Sequence, residues 1–172
     1  MSNKYGYLKK YINNKEKWPS NIFQEIRLES INEYEKKLGL QFPRQLKDFW
    51  QEIGCGFLVA SDEAIGLSTF DHDNRILPPE DIESIILLKE GSDLILPEYA
   101  EYLEDGDMPF FSIADSSSFL VMKPKSDNPN AVYDMAGNKI EDSFERFIHR
   151  LYYESPTYYL HVNDDKPGTS ES

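Results

Sequence analysis

Between Leu38 and Gly56 the chain reads LGLQFPRQLKDFWQEIGCG, and this stretch constrains the fold more than any other. Gly39 offers a left-handed stop to the segment before it, because glycine enters that conformation without a Cβ penalty. Pro43 suits the first turn of a helix, where a missing N–H costs nothing. Leu46, Phe49, Trp50 and Ile53 then recur at helical spacing, and Gly54 can end the run. The stretch predicts two amphipathic helices joined by GLQFP, with the aromatic residues turned into a core. Gly56 releases the chain into FLVA, an expected first strand.

The flanking segments repeat this grammar. SINEYEKKLG predicts a helix in which Ser30 and Glu33 have capping-box spacing, Gly39 is the stop, and Ile31, Tyr34 and Leu38 share one face. LPPEDIESIILL places prolines at a helix start, acids in the first turn, and Ile82, Ile85 and Ile86 inward. LPEYAEYLEDGD reads as a short acidic helix or an extended loop. MPFFSIA, SFLVMK and AVYDM are short apolar runs bounded by Asp, Ser, Pro and Asn, which predicts three strands, with AGNKI as the turn after the last. Asp142 and Glu145 have capping spacing ahead of Phe144, Phe147, Ile148 and Leu151, a closing helix. The order helix–helix–strand–helix–strands–helix predicts an α+β domain rather than a doubly wound sheet.

The chain has 172 residues, 40% hydrophobic and 13% aromatic, enough to bury one core without staples. Residues 1–162 are expected to form that single domain. Residues 163–172, NDDKPGTSES, lack apolar anchors and are expected to be disordered. The one cysteine, Cys55, cannot form an internal disulfide and suits a reducing compartment. The N-terminus lacks the apolar run of a signal peptide, and no apolar stretch reaches the roughly 18 residues that cross a bilayer. A cytoplasmic protein is expected.

Net charge is −13, and it is unevenly spread. Residues 1–50 hold ten Lys/Arg against six Asp/Glu. Residues 80–107 hold ten acids, Glu80, Asp81, Glu83, Glu90, Asp93, Glu98, Glu101, Glu104, Asp105 and Asp107, against Lys89 alone. Phosphates would be repelled by such a balance, which disfavours nucleic acid as a direct ligand. An anionic membrane surface is disfavoured for the same reason. A basic protein partner would be attracted and its approach accelerated, so these ten acids are the candidate partner-binding residues.

Catalytic and metal-binding patterns do not emerge. DHDN (Asp71, His72, Asp73, Asn74) resembles the start of a calcium loop, but Arg75 and Ile82 stand where an oxygen ligand and the closing glutamate belong. A solvated turn with no metal is expected there. Cys55 follows a helix C-terminus, whereas thiolates are stabilised at N-termini. ADSSSF lacks the G-x-S-x-G elbow and a paired base. EDGD suits weak contact with a divalent ion and an exposed acidic turn equally. His149 on the closing helix and His161 beside the tail show no partner in the sequence. No phosphate-cradling glycine loop, CxxC or HExxH occurs, so neither a cofactor nor an enzymatic activity is expected.

INEYEKKLGLQFPRQLKDFWQEIGCGFL resembles the signature of the SUKH superfamily, the SMI/KNR-type domains. The matching positions are Ile31, Glu35, Leu38, Gly39, Phe42, Pro43, Leu46, Phe49, Gly54 and Gly56. RILPPEDI is similar to the family's entry into its middle helix, FFSIADSSSFLVMK to its central strand pair, and IEDSFERFIHRL to its closing helix. The likeness spans about residues 22–152, with the elements in the family's order. Cys55 departs from the polar residue or glycine that relatives often place between the two glycines.

The resemblance implies an α+β fold with a mixed or antiparallel sheet flanked by N-terminal, middle and C-terminal helices. It implies an immunity protein, or antitoxin, of the bacterial branch, which binds a cognate polymorphic or contact-dependent toxin and blocks it. Nuclease toxins must be basic to hold phosphates, so an acidic inhibitor fits a basic nuclease-type toxin domain. The alternative is a non-catalytic interaction scaffold of the cell-wall-regulator type found in the fungal branch. The family supplies no catalytic residue to carry over, and a monomer or weak dimer is expected.

Overall fold

The computed structural model describes residues 3–17, 21–59, 61, 74–87, 103–113, 118–160 and 162. The chain begins with a 3-10 turn, Gly6–Tyr11, followed by β1 (Ile22–Gln24), α1 (Leu28–Leu38), α2 (Arg44–Glu52) and β2 (Cys55–Phe57). Next come β3 (Arg75–Ile76), α3 (Pro79–Leu87), β4 (Met108–Ile113), β5 (Ser118–Met122), β6 (Val132–Tyr133) and β7 (Lys139–Glu141). The closing helix α4 (Phe144–Tyr153) leads to a second 3-10 turn, Tyr158–Leu160. The strands form one sheet in the order β1 to β7, and every neighbouring pair is antiparallel. The fold is α+β, as the sequence predicts, and of the two sheet types allowed it takes the antiparallel one. A parallel bridge joins Ile12, just past the N-terminal turn, to Phe23 of β1.

The turn between α1 and α2 is fixed by backbone bonds. Gly39 adopts φ 62°, Leu40 N–H donates to the Glu35 carbonyl at 3.2 Å and Gly39 N–H to the Lys36 carbonyl at 3.3 Å. This is a Schellman closure. The Glu35 side chain, itself buried, accepts the Phe42 N–H at 2.8 Å and so holds the chain as it enters α2. Leu46, Phe49 and Trp50 are fully buried and Ile53 nearly so, in agreement with the sequence. Trp50 Nε1 donates to the Leu77 carbonyl at 3.1 Å, which satisfies the one polar atom of that ring.

Aromatic edges organise the core. Phe49 meets Tyr5 at 5.0 Å and Phe144 at 5.5 Å, Phe144 meets Phe110 at 5.7 Å, and Phe147 meets Phe111 at 5.1 Å, all edge to face. The N-terminal turn, α2, β4 and α4 are thereby joined through ring contacts. Ile82 and Ile85 of α3 are buried, with Ile86 partly so, and Phe144, Phe147, Ile148 and Leu151 of α4 are fully buried, each as its spacing predicts.

Several boundaries differ from the sequence reading. Helix α1 starts at Leu28, with Arg27 as an extended N-cap that makes no side-chain cap bond. Ser30 and Glu33 therefore lie within the helix; the Arg27 carbonyl accepts the Ser30 and Ile31 N–H groups and starts it earlier. Pro43 is the N-cap of α2 rather than its first helical residue. Helix α4 is capped by Ser143, which accepts the Arg146 N–H, and not by Asp142 with Glu145. Glu145 N–H and the Ser143 hydroxyl both donate to Gln45 Oε1, so α2 completes the cap of α4.

The strand expected over FLVA is Cys55–Phe57, the second in order rather than the first. Leu58 N–H still donates to the Asn74 carbonyl, one step beyond Phe57 opposite Arg75, whereas Val59 N–H turns to Asn21 Oδ1 and ends the pairing. AGNKI contributes a turn only as far as Asn138, and Lys139 begins β7. The expected segment over residues 96–102 and the tail 163–172 lie outside the described residues. Replacing Phe49 by Ala removes a ring that meets Tyr5, Phe23 and Phe144 and should destabilise the protein by about 3–5 kcal/mol. Urea denaturation measures this directly; a loss below about 1 kcal/mol would be that of a surface residue.

Candidate protein-interaction surface

Strand register places the middle acids at one end of the sheet. Ile76 lies opposite Phe111, and Leu77 N–H donates to the Phe110 carbonyl, so α3 starts beside the beginning of β4. Met108 lies opposite Met122, so the turn before β4 sits beside Lys123, where the chain leaves β5. Glu80 at the start of α3 and the turn of residues 104–107 therefore share that end.

The candidate acids divide into two kinds. The Asp107 side chain is only 6% exposed, and its Oδ1 accepts from Lys123 Nζ at 2.7 Å. Its Oδ2 accepts the Glu104 N–H at 3.1 Å, while Asp107 N–H donates to the Glu104 carbonyl at 3.0 Å. Asp81 pairs with Arg75 of β3 at 2.9 Å. These two carboxylates are engaged within the fold. Glu104, by contrast, is 81% exposed and lies 3.6 Å from the Lys123 ammonium, a distance too long to hold it firmly. Glu80 and Asp105 are exposed, Glu83 is half-buried, and none of the three forms an ion pair among the described residues. Glu90, Asp93, Glu98 and Glu101 lie outside the described residues.

The hydrogen bond to Asp107 holds the Lys123 ammonium above its ordinary range, against the smaller opposing effect of partial burial. A lysine raised in this way adds stability that is fully present below its unfolded pKa. That contribution fades only as pH rises through the higher folded value. The clamp is therefore intact at neutral pH.

The side chains considered for chemistry are otherwise occupied. Asn74 Oδ1 accepts the Tyr159 hydroxyl at 2.8 Å and Nδ2 donates to the Pro156 carbonyl at 2.6 Å, fastening the C-terminal turn. Asp71, His72 and Asp73 lie outside the described residues, as do Ser116, Ser117 and His161. Among the described residues no group of three or more His, Cys, Asp or Glu could hold a metal ion. Cys55 is half-buried in β2, and burial, with Glu80 beside it, pushes its thiol up to about 11. His149 does have partners: its ring lies 4.6 Å from Tyr153 and 6.1 Å from Tyr7. Tyr153 stands one turn further along α4, whereas Tyr7 is more than a hundred residues away in sequence, which is why the sequence hid that contact.

The signature positions are consumed by the fold. Glu35 accepts from Phe42 and pairs with Lys47 at 3.4 Å, Gly39 forms the turn, and Ile31, Phe42, Leu46 and Phe49 are buried. Their arrangement is that of an α+β domain whose signature residues are turned inward. The chain belongs to the SMI1 / KNR4 family (SUKH-1), whose sequence profile matches residues 25–150. It is similar to the immunity protein YxxD of Bacillus subtilis, with 28% identity over 165 residues, 94% of this chain and 99% of that protein. No solved structure matches it.

Two measurements check this division of roles. Asp107→Ala removes a nearly buried acceptor of two hydrogen bonds and should cost about 1.5–3 kcal/mol. Glu104→Ala should stay within about 0.5 kcal/mol. Equal losses in denaturation would contradict the division. For Cys55, a thiol raised from 9.0 to about 11 holds about a hundredfold less thiolate at neutral pH. Iodoacetamide should label the native protein at least that much more slowly than the urea-unfolded chain, with the rate climbing tenfold per pH unit below 11.

Proposed function

We propose that this chain is an immunity protein that binds a cognate toxin and blocks it by occupancy, without catalysis. The likeness to a protein named as an immunity protein carries this reading, since it covers 94% of this chain and not an isolated motif. The toxin is of the basic nuclease type, a choice supported by the net charge of −13 and by the exposed carboxylates of Glu80, Glu104 and Asp105. Residues 1–162 act as one domain, monomeric or weakly dimeric, in the cytoplasm. No helix among the described residues is long and apolar enough to cross a membrane. Glu90, Asp93, Glu98 and Glu101 belong to the same proposed surface through their sequence position.

Charge attraction acts mainly on encounter, so reversing Glu104 and Asp105 to Lys should slow association several-fold and leave folding intact. The effect should shrink with added salt, because the Debye length is roughly 8 Å at physiological ionic strength. Co-expression with the toxin encoded by the neighbouring gene, with association rates at two salt concentrations, tests this. An unchanged on-rate in the double variant would place the interface elsewhere. Failure of the wild-type protein to protect against any adjacent toxin would favour the scaffold of the cell-wall-regulator type.

A further inference from the structure

The end of the sheet that carries Glu104 and Asp105 also carries a groove of opposite sign. It has a volume of about 700 Å³ and runs between the end of α1 and the Pro124–Lys125 segment that leaves β5. Lys36 and Lys125 both line it and both are exposed. Neither pairs with a carboxylate among the described residues, although Glu33 and Asp127 are exposed nearby in sequence. Glu35 contributes the one acid of the lining. Its carboxylate is already taken by the Phe42 N–H and by Lys47, whose ammonium also reaches Gln41 Oε1 at 3.4 Å.

The local balance is therefore positive. The C-terminus of α1 adds about half a negative charge, which offsets only part of the two lysines and leaves an excess of about one and a half positive charges. That excess stands out on a chain of net charge −13, where carboxylates to neutralise it are plentiful. The remaining lining suits an extended chain: Leu40 and Pro124 are apolar, and Gln41 can hydrogen-bond a peptide backbone. At Gly39 nothing lies within 4 Å of where a side chain would stand, so the backbone there is open. The volume falls within the roughly 300–1,000 Å³ typical of ligand sites.

We propose that this groove docks an extended acidic segment of a protein partner, with Lys36 and Lys125 as its two cationic contacts. The docking is separate from the attraction of a basic domain by Glu80, Glu104 and Asp105, and it gives the same end of the molecule a second, oppositely charged contact. A peptide is a better occupant than a polyphosphate, because Leu40 and Pro124 offer it apolar contact and Gln41 a backbone hydrogen bond beside the two lysines.

The test is fluorescence anisotropy of a fluorescein-labelled oligoglutamate peptide with the full chain, at low and physiological salt. Wild-type protein should bind it, and Lys36→Glu with Lys125→Glu should weaken binding at least tenfold with an unchanged thermal melt. Lys37→Glu is the control, since that lysine sits over the Tyr34 ring on the same turn and outside the groove lining; it should weaken binding less than threefold. No binding by wild type, undiminished binding by the double variant, or an equal loss from Lys37→Glu would overturn the proposal. Tighter binding of a single-stranded oligodeoxythymidylate than of the peptide would overturn it too. None of these readouts involves a toxin, so they stand or fall apart from the immunity function.

Discussion

At Gly54 and Gly56 a Cβ atom would lie 1.9 Å from the Gln24 carbonyl oxygen and 2.0 Å from that of Ile22. Both glycines have positive φ, 114° and 145°, so neither space nor backbone conformation admits a side chain. The two gaps let β2 pair with β1 within three residues of the end of α2. Because β1 leads almost at once into α1, this close approach ties α1, α2 and the first two strands into one unit. Phe23 of β1 then meets Phe49 of α2 at 5.8 Å, edge to face. From Phe49 the ring contacts pass to α4 and β4. Without the approach of β1, Phe49 would lose one wall and the aromatic core its link to the sheet edge.

Polar side chains fasten what the rings bring together. Gln45 completes the cap of α4, and its own N–H donates to Asn130 Oδ1 at 3.1 Å, so one residue of α2 holds a helix start and a loop. Glu141 of β7 is buried and accepts from Arg146, Arg150 and the Tyr158 hydroxyl. Burial, with the Glu141 charge beside it, raises the Tyr158 hydroxyl well above its ordinary range and keeps it protonated as a donor. Buried ion pairs add little net stability because desolvation offsets attraction. Their contribution here is positional: Glu141 and Asn74 together fix the second 3-10 turn against the sheet.

What could be read from the sequence follows from how many residues carry each signal. The faces of α2 and α4 each repeat over three turns, and β4 and β5 have five or six residues, so period and composition reveal them. The strands β1, β3 and β7 have two or three residues, too few for any alternation, and their existence depends on partners distant in sequence. The N-terminal turn is similar: Tyr5, Leu8 and Tyr11 share one buried face at the 3-10 period of three, but so short a run is too little to mark it in the sequence. At the candidate surface the limit is sharper. Glu104 and Asp107 are both acids of EDGD, yet one is 81% exposed and the other 6%. The difference arises because Asp107 precedes a strand whose partner ends at Lys123, a pairing the local sequence does not contain.

The residues that mark the family are the ones least available to a partner. Glu35, Gly39, Phe42, Phe49, Gly54 and Gly56 are each committed to a turn, a close strand approach or the core. Under the proposed function, selectivity falls to side chains the fold does not need, of which Glu80, Glu104 and Asp105 are the proposed ones. Such residues change at little cost in stability, because exposed charges contribute almost nothing to it. The proposed surface can therefore vary while the residues that build the fold are kept. On that proposal, family membership and partner choice are written on separate sets of residues, and the first set does not predict the second.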